Sequence, residues 1–266
     1  MSNRVNLTIQ DHIAMVKLNR PEKRNALDLE MIEAIVATGE SLMNRNDVRA
    51  VVLSGDGPAF CAGLDTSTFG KLVAQMSKTG GITARTHGAS NLFQRATMVW
   101  RDLPMPVVAA VHGHVYGGGF QIMLGADMRI ATPDTKFAIR EGKWGLVPDM
   151  GGMAIMPSLA RADIIRKYTY TAEVFLGEPA LEAGFITEIN ADPLRRALDI
   201  ASDIATKSPD ATRVAKQLLT DIEHSSTDEV LILESEAQAK LLGTANQTEA
   251  VLAGLEGRAP NYSDPS

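Results

Sequence analysis

Two glycine-rich stretches carry the first chemistry in this chain. Ala59-Phe60-Cys61-Ala62-Gly63-Leu64-Asp65 follows a Gly55-Asp56-Gly57-Pro58 turn, and Gly113-His114-Val115-Tyr116-Gly117-Gly118-Gly119-Phe120-Gln121 leads from a strand-like segment through three glycines into a helical pattern. Small residues let a ligand approach the backbone, and a helix amino terminus offers unpaired N–H groups and a partial positive charge. An oxygen that gains negative charge in a transition state is stabilised by such donors, so two of them aimed at one point form an oxyanion hole. Taken singly, either stretch reads equally well as a tight turn. Cys61 has no base signalled nearby, which fits a small packing residue better than a nucleophile. His112 and His114 flank Gly113, but no third ligand at suitable spacing completes a metal site, so no metal is expected.

The elements that must position these stretches follow a repeating rhythm. Strand-like runs at 5–9 and 13–18 precede a break at Asn19-Arg20-Pro21. Asp28 can cap the next helix, in which Leu27, Met31, Ile32, Ile35, Val36 and Leu42 fall on roughly one face. Residues 48–54 read as a buried strand, 107–111 as another, 120–126 as a short helix and 128–130 as a strand. Repeated β and α units of this kind predict an α/β fold. From about Pro193 the pattern becomes helical, over 193–206, 208–222, 227–242 and 248–257, with Leu231, Leu233, Leu241 and Leu242 available to pack on the body or on another subunit.

Composition limits the function classes. A chain of 266 residues holds one large domain with a substantial core and a smaller helical segment. The formal charge of −6 argues against a nucleic-acid surface. Cys61 is the only cysteine, so a reducing compartment fits best. Met1 leads directly into the strand-like Val5-Asn6-Leu7-Thr8-Ile9, and no apolar run reaches membrane-spanning length, so a cytoplasmic location without membrane contact is expected.

Together and in this order, the two glycine motifs resemble the crotonase superfamily, which includes enoyl-CoA hydratases, enoyl-CoA isomerases and dienoyl-CoA isomerases. The resemblance extends from Leu18-Asn19-Arg20-Pro21-Glu22-Lys23-Arg24-Asn25-Ala26-Leu27, through Ala59 to Asp65, Pro106 to Asp127 and Phe137 to Gly152, to Glu256-Gly257-Arg258-Ala259-Pro260-Asn261-Tyr262. In that last segment Gly257 and Ala259 stand where the family commonly has lysines. The resemblance implies an α/β spiral of ββα units over residues 1–192 and a C-terminal helical trimerisation region over 193–266, assembled as a homotrimer or a dimer of trimers.

It also implies a site. The backbone N–H groups of Ala62 and Gly118 would hold the oxygen of an acyl thioester. Lys23, Arg24, Ala26 and Leu27, with Ala62, Leu64 and Asp65, would line the groove for coenzyme A, which enters as part of an acyl-CoA substrate and not as a separate cofactor. Glu141 matches one catalytic glutamate of the hydratases, while Gln121 replaces the other. An amide can orient water but cannot carry a proton as a carboxylate does. Asp149 stands eight residues after Glu141, where dienoyl-CoA isomerases have aspartate and hydratases usually have glycine. Alternative structural readings are an ion pair of Glu141 with Arg140 and a turn or cap role for Asp149. The segment from Thr66 to Leu103, with Met76, Leu92, Phe93, Met98 and Trp100, would shape a pocket for a medium or long acyl chain. Enoyl-CoA hydration is the broad expectation, with enoyl- or dienoyl-CoA isomerisation through Glu141 and Asp149 as one alternative and a catalytically silent CoA-binding homologue as another.

Overall fold

Val5–Gln10 (β1) and Ile13–Leu18 (β2) pair antiparallel from Val5 opposite Leu18 to Gln10 opposite Ile13. Asp11 and His12 turn the chain with φ of 49° and 64°, the left-handed backbone that a two-residue hairpin requires. In the computed structural model, which describes residues 4–68, 70 and 81–265, the first helix is Leu29–Leu42 (α1), and the Asp28 carboxylate accepts from Met31 N as its N-cap. Its buried face is Met31, Ile32, Ile35, Val36 and Leu42, the apolar stripe expected from the spacing. Ala50–Gly55 (β3) follows, and then Leu92–Asp102 (α2), which begins in an Asn91/Gln94 capping box.

Val107–Val111 (β4), His114–Tyr116 (β5), Gly118–Leu124 (α3), Met128–Ala131 (β6) and Lys136–Ala138 (β7) complete the middle of the chain. Gly152–Leu159 (α4), Ala162–Thr171 (α5), Gly177–Glu182 (α6) and Glu188–Ile189 (β8) lead to the C-terminal helices Pro193–Ala205 (α7), Pro209–Asp221 (α8), Thr227–Leu241 (α9) and Ala245–Glu256 (α10). The main sheet has the order β1-β2-β3-β4-β6-β8, and every neighbour after the first pair is parallel. β5 and β7 pair parallel in a small second sheet. This is the expected mixed α/β architecture.

The sheet separates two apolar layers by the two-residue period of its strands. Val16, Leu18, Val51, Leu53, Val107, Ala109 and Val111 face α1, α2 and the buried Trp100. Ile13, Ala50, Val52, Val108, Ala110 and Ile130 face Ala197 and Ala201 of α7. The helix that starts at residue 193 therefore covers one face of the sheet. Lys216 of α8 is also tied inward, donating to Trp100 O, Met105 O and the Asp127 carboxylate. By contrast, α9 buries no residue in the single chain, and Leu231, Ile232 and Leu242 are exposed, as are Val251, Leu252 and Leu255 of α10. Among the described residues no helix is long and apolar enough to cross a membrane.

Candidate active site

Both glycine stretches lie just past the carboxyl ends of parallel strands, where α/β sheets leave room for ligands. The loop after β3 runs beside β5, with Cys61 N donating to His114 O and Tyr116 N to Cys61 O, each at 3.1 Å. This approach needs glycine on both sides: a Cβ on Gly63, whose φ is +85°, would lie 2.7 Å from Tyr116 O, and one on Gly119 would lie 2.5 Å from Cys61 O. The same loop is tied to the segment before α1. Leu27 N donates to Gly63 O at 2.8 Å, and Asp65 N donates to Leu27 O at 2.9 Å.

These pairings decide which backbone donors are available. Ala62 N donates to Arg24 O at 3.0 Å, so the donor expected at Ala62 is already engaged. Leu64 lies between the two groups that face Leu27, and backbone alternation turns its N–H to the opposite side. Neither Leu64 N nor Gly118 N, the latter in the first turn of α3, has a backbone acceptor among the described residues. Of the two neighbouring N–H groups, that of Ala62 is thus bonded within the protein and that of Leu64 is not. A Cβ on Gly118 would come within 2.6 Å of Met150 Sδ and 2.7 Å of Leu27 Cδ1, so Leu27 and Met150 bound this point.

Two of the predicted acid–base residues, Gln121 and Glu141, are brought into contact from separate elements, and the charge of the third, Asp149, acts on Glu141. Glu141 opens a short 3₁₀ turn after β7, only 9% exposed. Gln121 Nε2 donates to Glu141 Oε1 at 2.6 Å, while Glu141 Oε2 is buried and has no hydrogen-bond partner. Burial pushes the Glu141 carboxyl above the usual range; backbone and Gln121 hydrogen bonds oppose this, and the Asp149 charge adds to it. Arg140 makes no ion pair with Glu141. Its guanidinium donates to Ala172 O and lies over the Tyr116 ring. Asp149 is exposed in the single chain, yet the protein around its carboxyl also moves its pKa upward by desolvation. The two are compatible in a concave site, where a group keeps a solvent-facing surface with protein on most sides. Asp149 does not cap α4, whose N-cap is Gly151 with no side-chain cap bond.

Gln121 has its carbonyl committed and cannot use it to orient water. Oε1 accepts from Met150 N at 2.9 Å and Gly152 N at 3.0 Å. The Asp65 side chain is held by protein partners. Its carboxylate lies 2.8 Å from Arg20 Nη2 in a buried ion pair whose angle is poor for a hydrogen bond, and it accepts from Ser67 N and Oγ. The Ser67 hydroxyl is the largest influence holding its pKa low. The Asp65 side chain therefore braces the loop. Lys23 and Arg24 are exposed, Ala26 is half-buried, and Leu64 sits half-buried beside them. Cys61 is buried, donates to Asn25 O at 3.1 Å, and has its thiol pushed up to about 12 by burial, which leaves it protonated and unreactive. His112 Nε2 is bonded to Gly57 O, and the His114 ring packs edge-on against Tyr116. Among the described residues no three His, Cys, Asp or Glu side chains are grouped as a metal would need.

A family model described as enoyl-CoA hydratase/isomerase matches residues 8–265. The chain belongs to the enoyl-CoA hydratase/isomerase family. It is 31% identical over 257 residues to the mouse mitochondrial Delta(3,5)-Delta(2,4)-dienoyl-CoA isomerase, covering 94% of this chain and 78% of that protein. The short-chain-enoyl-CoA hydratase of Clostridium acetobutylicum is 29% identical over 261 residues, covering 96% of both. A solved Streptomyces coelicolor structure described as a "putative enoyl-CoA hydratase" superposes with a TM-score of 0.88 at 28% identity, over 99% of this chain and 95% of that one. Family membership thus stands with both hydratases and dienoyl-CoA isomerases among the relatives.

Within this enoyl-CoA hydratase/isomerase fold, two features escape a reading by motif. Asn25 is fully buried with φ of 55°, and its amide joins three backbone groups: it donates to Asp56 O and Ala59 O and accepts from Arg20 N. Its place inside the 18–27 motif and an asparagine's tolerance of left-handed backbone were the available signals. Trp144, Leu146, Val147 and Met153, close in sequence to Asp149, are exposed. The sequence pattern assigns the acyl pocket to 66–103. There Met76 lies outside the described residues, Trp100 is buried in the core, and Leu92, Phe93 and Met98 pack against it.

Proposed function

We propose that this protein moves a double bond along an acyl-CoA chain, with a dienoyl-CoA as the best-matched substrate, and that Leu64 N–H and Gly118 N–H hold the thioester oxygen. The observation that carries this reading is the carboxylate pair. Glu141 has one buried, unpartnered oxygen within electrostatic reach of Asp149, whereas position 121 holds a neutral amide already committed to the protein. Hydration by the two-glutamate pattern needs a second carboxylate at position 121, and here there is none. The exposed apolar side chains from Trp144 to Met153 support an apolar acyl chain near Asp149.

In this reading Glu141 Oε2 removes a proton from the carbon between the thioester carbonyl and the nearest double bond. The electron pair moves onto the carbonyl oxygen, and the enolate is held by the two N–H donors. Protonated Asp149 then returns a proton at the far end of the conjugated system, and the double bonds re-form nearer the carbonyl. No water is consumed. Glu141 ends protonated and Asp149 ionised, and proton exchange with solvent restores both. A raised pKa suits each role, since it strengthens Glu141 as a base and keeps Asp149 protonated nearer neutrality. No group beyond the substrate's own CoA is needed. Lys23 and Arg24 are exposed at the rim, where they suit CoA phosphates. The exposed apolar residues of α9 and α10 support assembly into trimers.

The test is kinetic. Glu141→Gln and Asp149→Asn should each lower kcat on a 3,5-dienoyl-CoA by roughly 10²- to 10⁴-fold with little change in acyl-CoA affinity. Full activity of folded Asp149→Asn on the best substrate would remove the isomerase reading.

A further inference from the structure

Gln121 is 1% exposed and makes three hydrogen bonds to the groups that frame the reaction. Its orientation is fixed chemically, because Met150 N and Gly152 N are donors and can only face the amide oxygen, which turns the nitrogen to Glu141. The backbone of Gly152 reaches this amide only because it lacks a side chain: a Cβ there would lie 2.7 Å from Gln121 Cγ and 3.0 Å from Oε1. One side chain thereby pins Glu141 Oε1 and both sides of the turn that follows Asp149. Glu141 has no cationic partner among the described residues, since Arg140 is turned away. Gln121 is thus the polar side chain that fixes which Glu141 oxygen is hydrogen-bonded and which is left without a partner.

We propose that Gln121 is a positioning and reaction-specificity residue: a neutral clamp that sets Glu141 against Asp149 and withholds the second carboxylate that water activation requires. This deepens, and rests on, the reading of Glu141 as the base. A glutamate at position 121 has nearly the same shape and could still accept from Met150 N and Gly152 N. Its other oxygen, however, would face Glu141 Oε1 at about the 2.6 Å now spanned by the amide. Two carboxylates so close hold a proton between them, and the pair titrates in two separated steps. With one proton shared, the introduced carboxyl imitates the amide. Above the second step both are ionised and repel.

The experiment follows hydrogen exchange at the carbon next to the thioester of 3-hexenoyl-CoA in D₂O, by mass spectrometry, as a function of pH. This reads base competence whatever the net reaction. Wild type should rise to a plateau as Glu141 ionises. Gln121→Glu should give a bell, with an added alkaline fall and an optimum roughly 10-fold lower, and should gain hydration relative to isomerisation. Gln121→Met should lower kcat by about 10- to 100-fold with KM little changed, and shift the rising limb to higher pH through loss of the bond that stabilises ionised Glu141. Since Gln121→Met also strips two buried N–H groups of their acceptor, Gln121→Glu carries the decision, with circular dichroism confirming its fold. A wild-type plateau profile in Gln121→Glu, beside competent exchange in wild type, overturns the clamp and leaves Glu141 as base intact. Absence of exchange in wild type overturns the base and the clamp together.

Discussion

Replacing Asn25 by alanine should unfasten the loop that carries Leu64. The Asn25 amide donates to Asp56 O at 2.9 Å and to Ala59 O at 2.8 Å, and accepts from Arg20 N at 2.7 Å. The contact with Asp56 O is partly open, so water can replace it. Ala59 O and Arg20 N are buried, and leaving each without its partner costs about 1–3 kcal/mol. A further ~1 kcal/mol comes from holding alanine in the left-handed backbone that Asn25 occupies. With about 2 kcal/mol for each of the two groups, the total is about 5 kcal/mol, a large share of the ~5–15 kcal/mol that stabilises typical domains. At a urea slope of about 3 kcal/mol/M, the unfolding midpoint should fall by roughly 1.5 M. The measurement is urea unfolding followed by circular dichroism at fixed protein concentration. Asn25→Gly should recover about 1 kcal/mol of the loss because glycine accepts positive φ. A midpoint for Asn25→Ala within about 0.3 M of wild type, on the same slope, would refute this role of the Asn25 amide.

Three further outcomes follow. A carboxyl whose pKa is raised on folding favours the native state most when protonated, so stability attributable to Glu141 is present below the ordinary glutamate pKa and is lost as pH rises through the folded value; Glu141→Gln should therefore be more stable than wild type at neutral pH in urea titrations, with the difference vanishing in acid. Calorimetry should show tighter binding of an acyl-CoA than of its free acid, and equal affinities would contradict the groove. Sedimentation should give a mass that is a multiple of three 28.6 kDa chains, and Leu231→Glu with Leu252→Glu should lower that mass by placing charge on the exposed faces of α9 and α10.

Features fixed by neighbours in sequence were legible, and those set by distant pairing were not. Asp28 caps α1 and the apolar stripe of that helix is buried, as local spacing requires. The two glycine motifs meet as anticipated, because close backbone approach leaves its mark in residue type. Which N–H the loop leaves open depends instead on Arg24 O and Leu27, residues far away in sequence, so Ala62 and Leu64 are indistinguishable by motif alone. The same holds for Gln121, whose carbonyl is claimed by Met150 N and Gly152 N. The strands β5 and β7, three residues each, are too short to show a period. The packing of α7 on the sheet rests on the small residues Ala197 and Ala201, which a helical pattern does not single out as core.

The Glu141–Asp149 pair is expected to isomerise where a two-glutamate site would hydrate. The most direct test offers purified protein crotonyl-CoA, a 3-enoyl-CoA and a 3,5-dienoyl-CoA in parallel, with products separated by mass and ultraviolet absorbance. The expected result is conversion of the 3,5-dienoyl-CoA to the 2,4-isomer without mass change, and hydration of crotonyl-CoA slower by roughly 10²-fold or more, the lower range for loss of one acid–base group. Hydration of crotonyl-CoA as fast as dienoyl isomerisation, with a gain of one water in mass, would contradict it.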